Sequence, residues 1–124
     1  MIALDTSSTI AFLSGQRGRD VTAFDAALKL RQGVFPPMVV TELLSDPLVR
    51  VDLAALIRAV PRLEILDGYW ERAGELRARL LRRGLKARLA DTLIAQSCLD
   101  HEVALLTRDR DFQNFAKHAG LSLE

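Results

Sequence analysis

Four carboxylates stand at turning points of the chain. Asp5 closes the apolar run Ile2-Ala3-Leu4, Glu42 follows Pro36-Pro37 in a helical stretch, Asp91 opens another helical stretch, and Asp109 lies just beyond Thr107, the end of a second apolar run. Singly, each reads as a helix-capping acid favoured by the macrodipole. Together they would repel, and such a cluster persists only with positive charge among them, most simply a hard divalent cation held through oxygen. An acid set without His or Cys suits Mg²⁺ or Mn²⁺ rather than zinc. One or two such ions would acidify a water and neutralise phosphoryl oxygens, and a pair about 4 Å apart would serve both attacking and leaving oxygens. Without a cation, crowding raises at least one carboxyl pKa and couples the titrations.

The elements that must position these acids follow from hydrophobic period and turn residues. Ile2 to Leu4 reads as a buried first strand, and Thr6-Ser7-Ser8 offer N-cap hydroxyls to a helix through Ile10, Ala11 and Phe12. A helix from about Asp20 carries Val21, Phe24, Ala27 and Leu28, with Gly33 as its stop. Val34-Phe35 is a short second strand, and the double proline starts a helix through Val39, Val40, Leu43 and Leu44. Asp46-Pro47 breaks that helix, and Leu53, Leu56, Ile57 and Val60 mark the next. Leu63 to Leu66 reads as a third strand, Tyr69 to Arg83 as a long helix with a Glu75–Arg79 surface pair, and Ala90 to His101 as another helix. Val103 to Thr107 is the fourth strand, followed by a helix over Asp111 to His118 and a final strand Leu121 to Leu123.

Alternating strands and helices imply an α/β fold, a central parallel sheet of four to five strands flanked by helices in three layers. Ligands in such sheets bind outside the carboxyl ends of the strands. Strand order gathers Asp5, Glu42 and Asp109 at that edge. Asp91 joins them only if its helix, expected to start at the opposite edge, turns its N-terminus toward the site.

At 124 residues, 49% apolar and 27% charged, the chain reads as one globular domain over residues 1–124. No apolar run approaches the roughly 20 residues that span a bilayer. The start MIALDTSS lacks the basic region of a signal peptide, and the one cysteine, Cys98, fits a reducing cytoplasm. Net charge is +1, yet Glu71 to Ala90 holds seven basic residues against two acidic ones.

Four blocks, MIALDTSSTIAFL, PPMVVTELL, ARLADTLIAQSCL and VALLTRDRDF, together resemble the PIN-domain ribonucleases, specifically the small VapC-like toxins of toxin–antitoxin pairs. The resemblance spans nearly the whole chain. It implies a PIN-like three-layer fold and an endoribonuclease that binds Mg²⁺ or Mn²⁺, one or two ions, through Asp5, Glu42, Asp91 and Asp109. Thr107, Ser7 and Thr6 match the hydroxyls that orient the acids, and the products would carry a 5′-phosphate and a 3′-hydroxyl. Of the two acids in Thr-Arg-Asp-Arg-Asp-Phe, Asp109 matches the family position, and Asp111 is expected to cap the last helix. The implied partners are RNA, a VapB-like antitoxin, and a second copy in a homodimer, assembling with the antitoxin as a heterotetramer or hetero-octamer. The aliphatic segment Val39 to Val60 is the expected protein-docking region.

Arg72, Arg79, Arg82, Arg83, Lys86 and Arg88 are candidate RNA contacts, weighed against a solvated helix face. Tyr69 and Trp70 are weighed as base-stacking platforms against core anchors. Cys98 reads as packing, and His101 and His118 as helix C-terminal residues. Three other readings share the outline. A PIN nuclease of RNA processing would carry the same acids without an antitoxin. A phospho-signalling receiver would need an acidic pair after the first strand, an Asp after the third and a lysine after the fifth. Asp67 does follow the third, but a single acid stands in Asp5-Thr6-Ser7 and Thr107 is followed by Arg108. A phosphatase of the haloacid-dehalogenase type would need an acid at Ser7.

Overall fold

The computed structural model describes all 124 residues. Its centre is a parallel sheet of order β2-β1-β3, with β1 (Ile2–Leu4) between β2 (Gly33–Val34) and β3 (Ala104–Leu106). Ile2 registers with Gly33 on one side and Ala104 on the other. Strands buried on both faces must be apolar throughout, and Ala3, Leu4 and Leu105 are fully buried.

Two further strands were expected, and each is reduced to one bridge. Phe35 pairs with Arg62 and Leu105 with Leu123, so the sheet has three strands and a single parallel bridge at each edge. Leu63 is buried, but Ile65 and Leu66 turn outward, 47% and 37% exposed. The apolar run therefore leaves the sheet after one side chain has found the core.

Seven helices surround the sheet: α1 (Thr6–Leu13), α2 (Arg19–Lys29), α3 (Pro37–Leu44), α4 (Val51–Ala59), α5 (Tyr69–Arg82), α6 (Leu89–His101) and α7 (Gln113–Ala119), the last preceded by a 3₁₀ turn over Arg110–Phe112. The chain moves outward from β1 through β2 to Arg62, then returns across the sheet to β3. Right-handed crossovers in opposite directions put their helices on opposite faces, which gives the α/β/α layering. Phe24, Phe35, Phe112 and Phe115 fill the core. No helix is long and apolar enough to cross a membrane.

Two local expectations are corrected. Gly33 is not the stop of α2, which ends at Lys29 with Leu30 as its cap. Gly33 lies in β2, where a Cβ would come within 2.8 Å of Leu4 Cδ1, so the absent side chain lets the two strands pack. The direction of α6 is also the reverse of that expected. A helix that delivers the chain to the amino end of β3 must run antiparallel to it, so α6 begins at the carboxyl edge of the sheet. The Arg72 guanidinium of α5 meets Asp100 near the end of α6, and Arg77 Nε donates to Ala87 O just before its start. The α5–α6 hairpin thus brings Asp91 to the same edge as Asp5.

Candidate active site

The site is built outward from Asp5. Its N–H donates to Leu106 O at 3.0 Å, fastening the end of β1 to the end of β3. Its backbone carbonyl starts α1, accepting from Thr9 N and Thr9 Oγ1, while its side chain takes no part in capping. The residue is 3% exposed, and its carboxylate instead accepts at Oδ2 from Ser7 Oγ and Thr107 Oγ1, both at 2.7 Å. Each hydroxyl has one proton, so the 3.1 Å approach of Ser7 Oγ to Thr107 Oγ1 is a contact of two acceptor-side oxygens held by a shared carboxylate. Their lone pairs receive backbone N–H groups from Arg108 and Asp109. Thr6 Oγ1 donates to Glu42 Oε1 at 2.7 Å. The hydroxyls expected to cap α1 instead serve acids: Ser7 bonds the neighbouring Asp5, Thr6 reaches Glu42 and Ser8 reaches Asp20, while Asp5 Oδ1 keeps its lone pairs free.

Asp91 stands in the first turn of α6. Its carboxyl is pushed up to about 6, first by burial and then by the charges of Asp109, Asp5, Asp111 and Glu42. The other three expected acids thus lie within electrostatic reach of Asp91, and a fifth, Asp111, joins them. Oxygens of Asp91, Asp109 and Asp111 lie within 4.8 Å of one another, a span that one cation could bridge.

The expected roles of Asp109 and Asp111 are exchanged in one respect. Asp109 Oδ1 caps the 3₁₀ turn by accepting from Asp111 N at 2.9 Å, whereas Asp111 makes no cap and pairs with Lys86 Nζ at 2.9 Å. That ammonium holds the Asp111 carboxyl below its ordinary pKa. The spacing Asp109-Arg110-Asp111 carried the signal for the fifth acid: the second acid enters the 3₁₀ turn that the first one caps, which keeps the two close.

The basic stretch divides in two. Lys86 and Arg88 are close enough to Asp111 to lower its pKa. Arg72, Arg79 and Arg82 instead line a cleft of about 490 Å³ with Gln96 and Leu99, between α5 and α6. Arg72 is committed there: Nε and Nη2 meet both oxygens of Asp100 at 2.9 and 2.7 Å, and Nη1 reaches Asp67 O. Arg79 donates to His118 O rather than pairing with Glu75. Arg83 is exposed. Arg72→Ala is expected to lower Tm while leaving the KM of any RNA substrate unchanged, since the Asp100 side chain, 7% exposed, would lose its charge partner. Thermal melts beside cleavage kinetics check this, and a raised KM at unchanged Tm would make Arg72 an RNA contact after all.

Tyr69 is buried and donates to Leu93 O at 2.6 Å, which removes it as a stacking platform. Trp70, edge-on to it, is 59% exposed. Cys98 is fully buried, and burial, then the Asp5 charge, pushes its thiol up to about 12, so it is inert packing. His101 Nε2 bonds Glu64 O. A second groove, about 230 Å³, runs between α1, α3 and α4 from Glu42 past Ile10, Leu13, Leu43 and Leu53. Leu48 and Val51, 83% and 85% exposed, stand beyond it.

Residues 2–118 match the PIN domain family model. The chain belongs to the PIN domain family. That membership replaces the receiver and phosphatase alternatives. Among curated proteins none matches the chain. The PIN fold is shared with solved structures across the full chain. In VapBC2 from Rickettsia felis, bound to a promoter DNA fragment, the match has TM-score 0.77 at 20% identity, covering 100% of this chain and 98% of that one. For VapBC-1 from nontypeable Haemophilus influenzae the values are 0.75, 21%, 100% and 97%. For FitAcB from Neisseria gonorrhoeae they are 0.71, 20%, 99% and 96%.

Proposed function

We propose that this PIN domain is a Mg²⁺- or Mn²⁺-dependent endoribonuclease and the toxin of a VapBC-type toxin–antitoxin pair. The observation that carries the chemistry is the gathering of Asp91, Asp109 and Asp111 oxygens within 4.8 Å of one another, where the half-buried Asp91 is pushed up to about 6 by burial and by four neighbouring carboxylates. The donor set fits a hard cation: oxygens only, three of them within 4.8 Å, and a free Oδ1 on Asp5. When bound, such a cation acidifies a water and neutralises charge on the phosphoryl oxygens.

The chain's own residues supply the rest. Asp5, Asp91, Asp109 and Glu42 hold the cation, with Asp111 completing the set opposite Lys86. Ser7 and Thr107 fix the Asp5 carboxylate so that only Oδ1 faces a ligand, and Thr6 does the same for Glu42. Lys86 and Arg88 at the rim, with Arg82 at the end of α5 and Arg83 just beyond it, attract the RNA backbone. The test is RNA cleavage that needs Mn²⁺ or Mg²⁺, stops with chelator, leaves 5′-phosphate and 3′-hydroxyl ends, and is absent in Asp5→Asn. Cleavage undiminished by chelator would refute it.

The toxin assignment is supported by the full-length likeness to VapBC and FitAcB structures. The VapB-like antitoxin segment docks in the groove beside Glu42, and the exposed aliphatics of the α3–α4 region join two copies in a cytoplasmic homodimer, assembling with the antitoxin as a heterotetramer or hetero-octamer. Light scattering of Asp5→Asn at micromolar concentration is expected to give twice the monomer mass. A monomer would remove the dimer from the proposal.

A further inference from the structure

Thr107 and Asp109 point toward the acids, and the residue between them points away. Arg108 Nε and Nη2 grip both oxygens of Asp20 at 2.8 and 2.9 Å, Nη1 donates to Gln16 Oε1 at 2.6 Å, and Nη2 also reaches Arg17 O. Asp20 is held in turn by Ser8 Oγ of α1 at 2.9 Å, and its side chain is only 13% exposed. Gly18 makes room: a Cβ there would fall 2.7 Å from Asp20 Oδ1 and 3.1 Å from Arg108 Nη2. This is a built network rather than a surface ion pair, with one guanidinium spanning three acceptor residues and a glycine keeping the space open.

Resting on the metal-centre reading above, we propose that Arg108 is a positioning residue: its clamp on Asp20 and the turn before α2 fixes the strand-end segment that carries Thr107 Oγ1 and the Asp109 carboxylate into the site. The backbone has a reason to need it. Beyond β3 the segment has no strand partner for its side chains to pack on, and its Arg108 N–H meets only Ser7 Oγ at 3.2 Å. Anchoring the outward side chain on α2 sets the angle at which the inward neighbours arrive, as partners behind metal ligands commonly do.

The clamp makes a prediction opposite in sign to simple electrostatics. Removing the positive charge of Arg108 next to an acid cluster should tighten cation binding if the residue is a bystander. If it positions Asp109 and Thr107, removal weakens binding. The experiment measures Mn²⁺ affinity from the electron paramagnetic resonance signal of free Mn²⁺, together with kcat, KM and Tm, in wild type, Arg108→Gln, Arg108→Lys, Gly18→Ala and Gln16→Ala. Arg108→Gln and Gly18→Ala are expected to weaken Mn²⁺ binding about tenfold and lower kcat comparably with KM within twofold, and Arg108→Lys to recover part of the loss. Gly18→Ala removes no charge but also strains a backbone at φ 152°. Gln16→Ala, which deletes one uncharged acceptor of the clamp and is expected to weaken Mn²⁺ binding in the same direction, therefore decides the matter if Arg108→Gln fails to fold. Unchanged or tighter Mn²⁺ binding in the variants overturns the clamp, as does a raised KM at unchanged kcat, which would make Arg108 an RNA contact. A wild type that binds Mn²⁺ but leaves RNA intact refutes the nuclease reading alone, with the affinities still judging the clamp. A wild type that binds no Mn²⁺ overturns both.

Discussion

Asp91→Asn is expected to abolish metal-dependent RNA cleavage and, in the same protein, to raise the Tm of the metal-free form at pH 7. The two effects share one cause. Asp91 is the carboxylate around which the others gather, and its folded pKa of about 6 lies above the ordinary value of 3.8. A raised carboxyl pKa means that the fold favours the neutral form. Stability from this group is therefore greatest at low pH and declines as pH rises from about 4 to about 6. An amide is neutral at every pH and nearly the same shape, so it relieves the repulsion. The shift of about two units corresponds to at most roughly 3 kcal/mol. Solvent screening of a half-buried group leaves ~1–2 kcal/mol, or roughly 5 °C in Tm. The same substitution removes a charged oxygen donor. Losing even a partner behind a ligand costs roughly 10–100-fold, so losing Asp91 itself should cost about 100-fold or more in cleavage. Differential scanning calorimetry and a cleavage assay on one preparation test both. A variant that cleaves at the wild-type rate would sink the role of Asp91, and one that melts lower without metal would sink the account of its charge.

Mn²⁺ or Mg²⁺ is expected to raise the wild-type Tm, and to do so more at pH 7.5 than at pH 5. A ligand present at 100 times its dissociation constant adds about 2.7 kcal/mol to folding stability, which for a domain of this size is a shift of roughly 10 °C. The cation competes with the proton on Asp91. Below about pH 6 that carboxyl is increasingly protonated in the folded protein, so the proton must be displaced and the shift shrinks. The sign differs from that of an acid lowered by an ion pair, such as Asp100 beside Arg72, whose contribution is present above the unfolded pKa and lost as pH falls through the folded one. A pH series of melts with and without Mn²⁺ reads this directly. A metal shift independent of pH between 5 and 7.5 would remove Asp91 from the ligands.

Much of the arrangement was readable because the decisive residues carry local signals. Ile2 to Leu4 is apolar and ends on Asp5. Gly, Pro and helical period marked α1 and α3 to α6 within a residue or two, while α2 ends at Lys29, short of the Gly33 expected to stop it. The resemblance of four short blocks named the family. What escaped the sequence is long-range. Nothing beside Arg72 announces Asp100 across the α5–α6 hairpin, so a residue fixed in an ion pair read as a free cation. The Leu63 to Leu66 run had strand composition, yet an edge position with one neighbour demands only one buried side chain. Asp111 was assigned a cap because caps are the commoner use of an acid before a helix, and which of two acids spaced by one residue does the capping depends on the turn each enters. The direction of α6 runs against the expectation for a plain reason: a helix that feeds the amino end of a parallel strand descends from the carboxyl edge, in a simple strand–helix–strand unit as in the α5–α6 hairpin.

The strand order has a consequence for biosynthesis. The central strand is made first and one of its two neighbours nearly last, so the bond from Thr107 to Asp5 closes a loop of 102 residues. Closing so distant a pair is slow and happens late. A nascent chain can form α1 to α5 and much of the helical layer while Asp5 still has neither Thr107 nor Asp91 near it. The acid cluster therefore comes into being in one late event, when β3 slots beside β1, and every chain shortened before that point is an unarmed one.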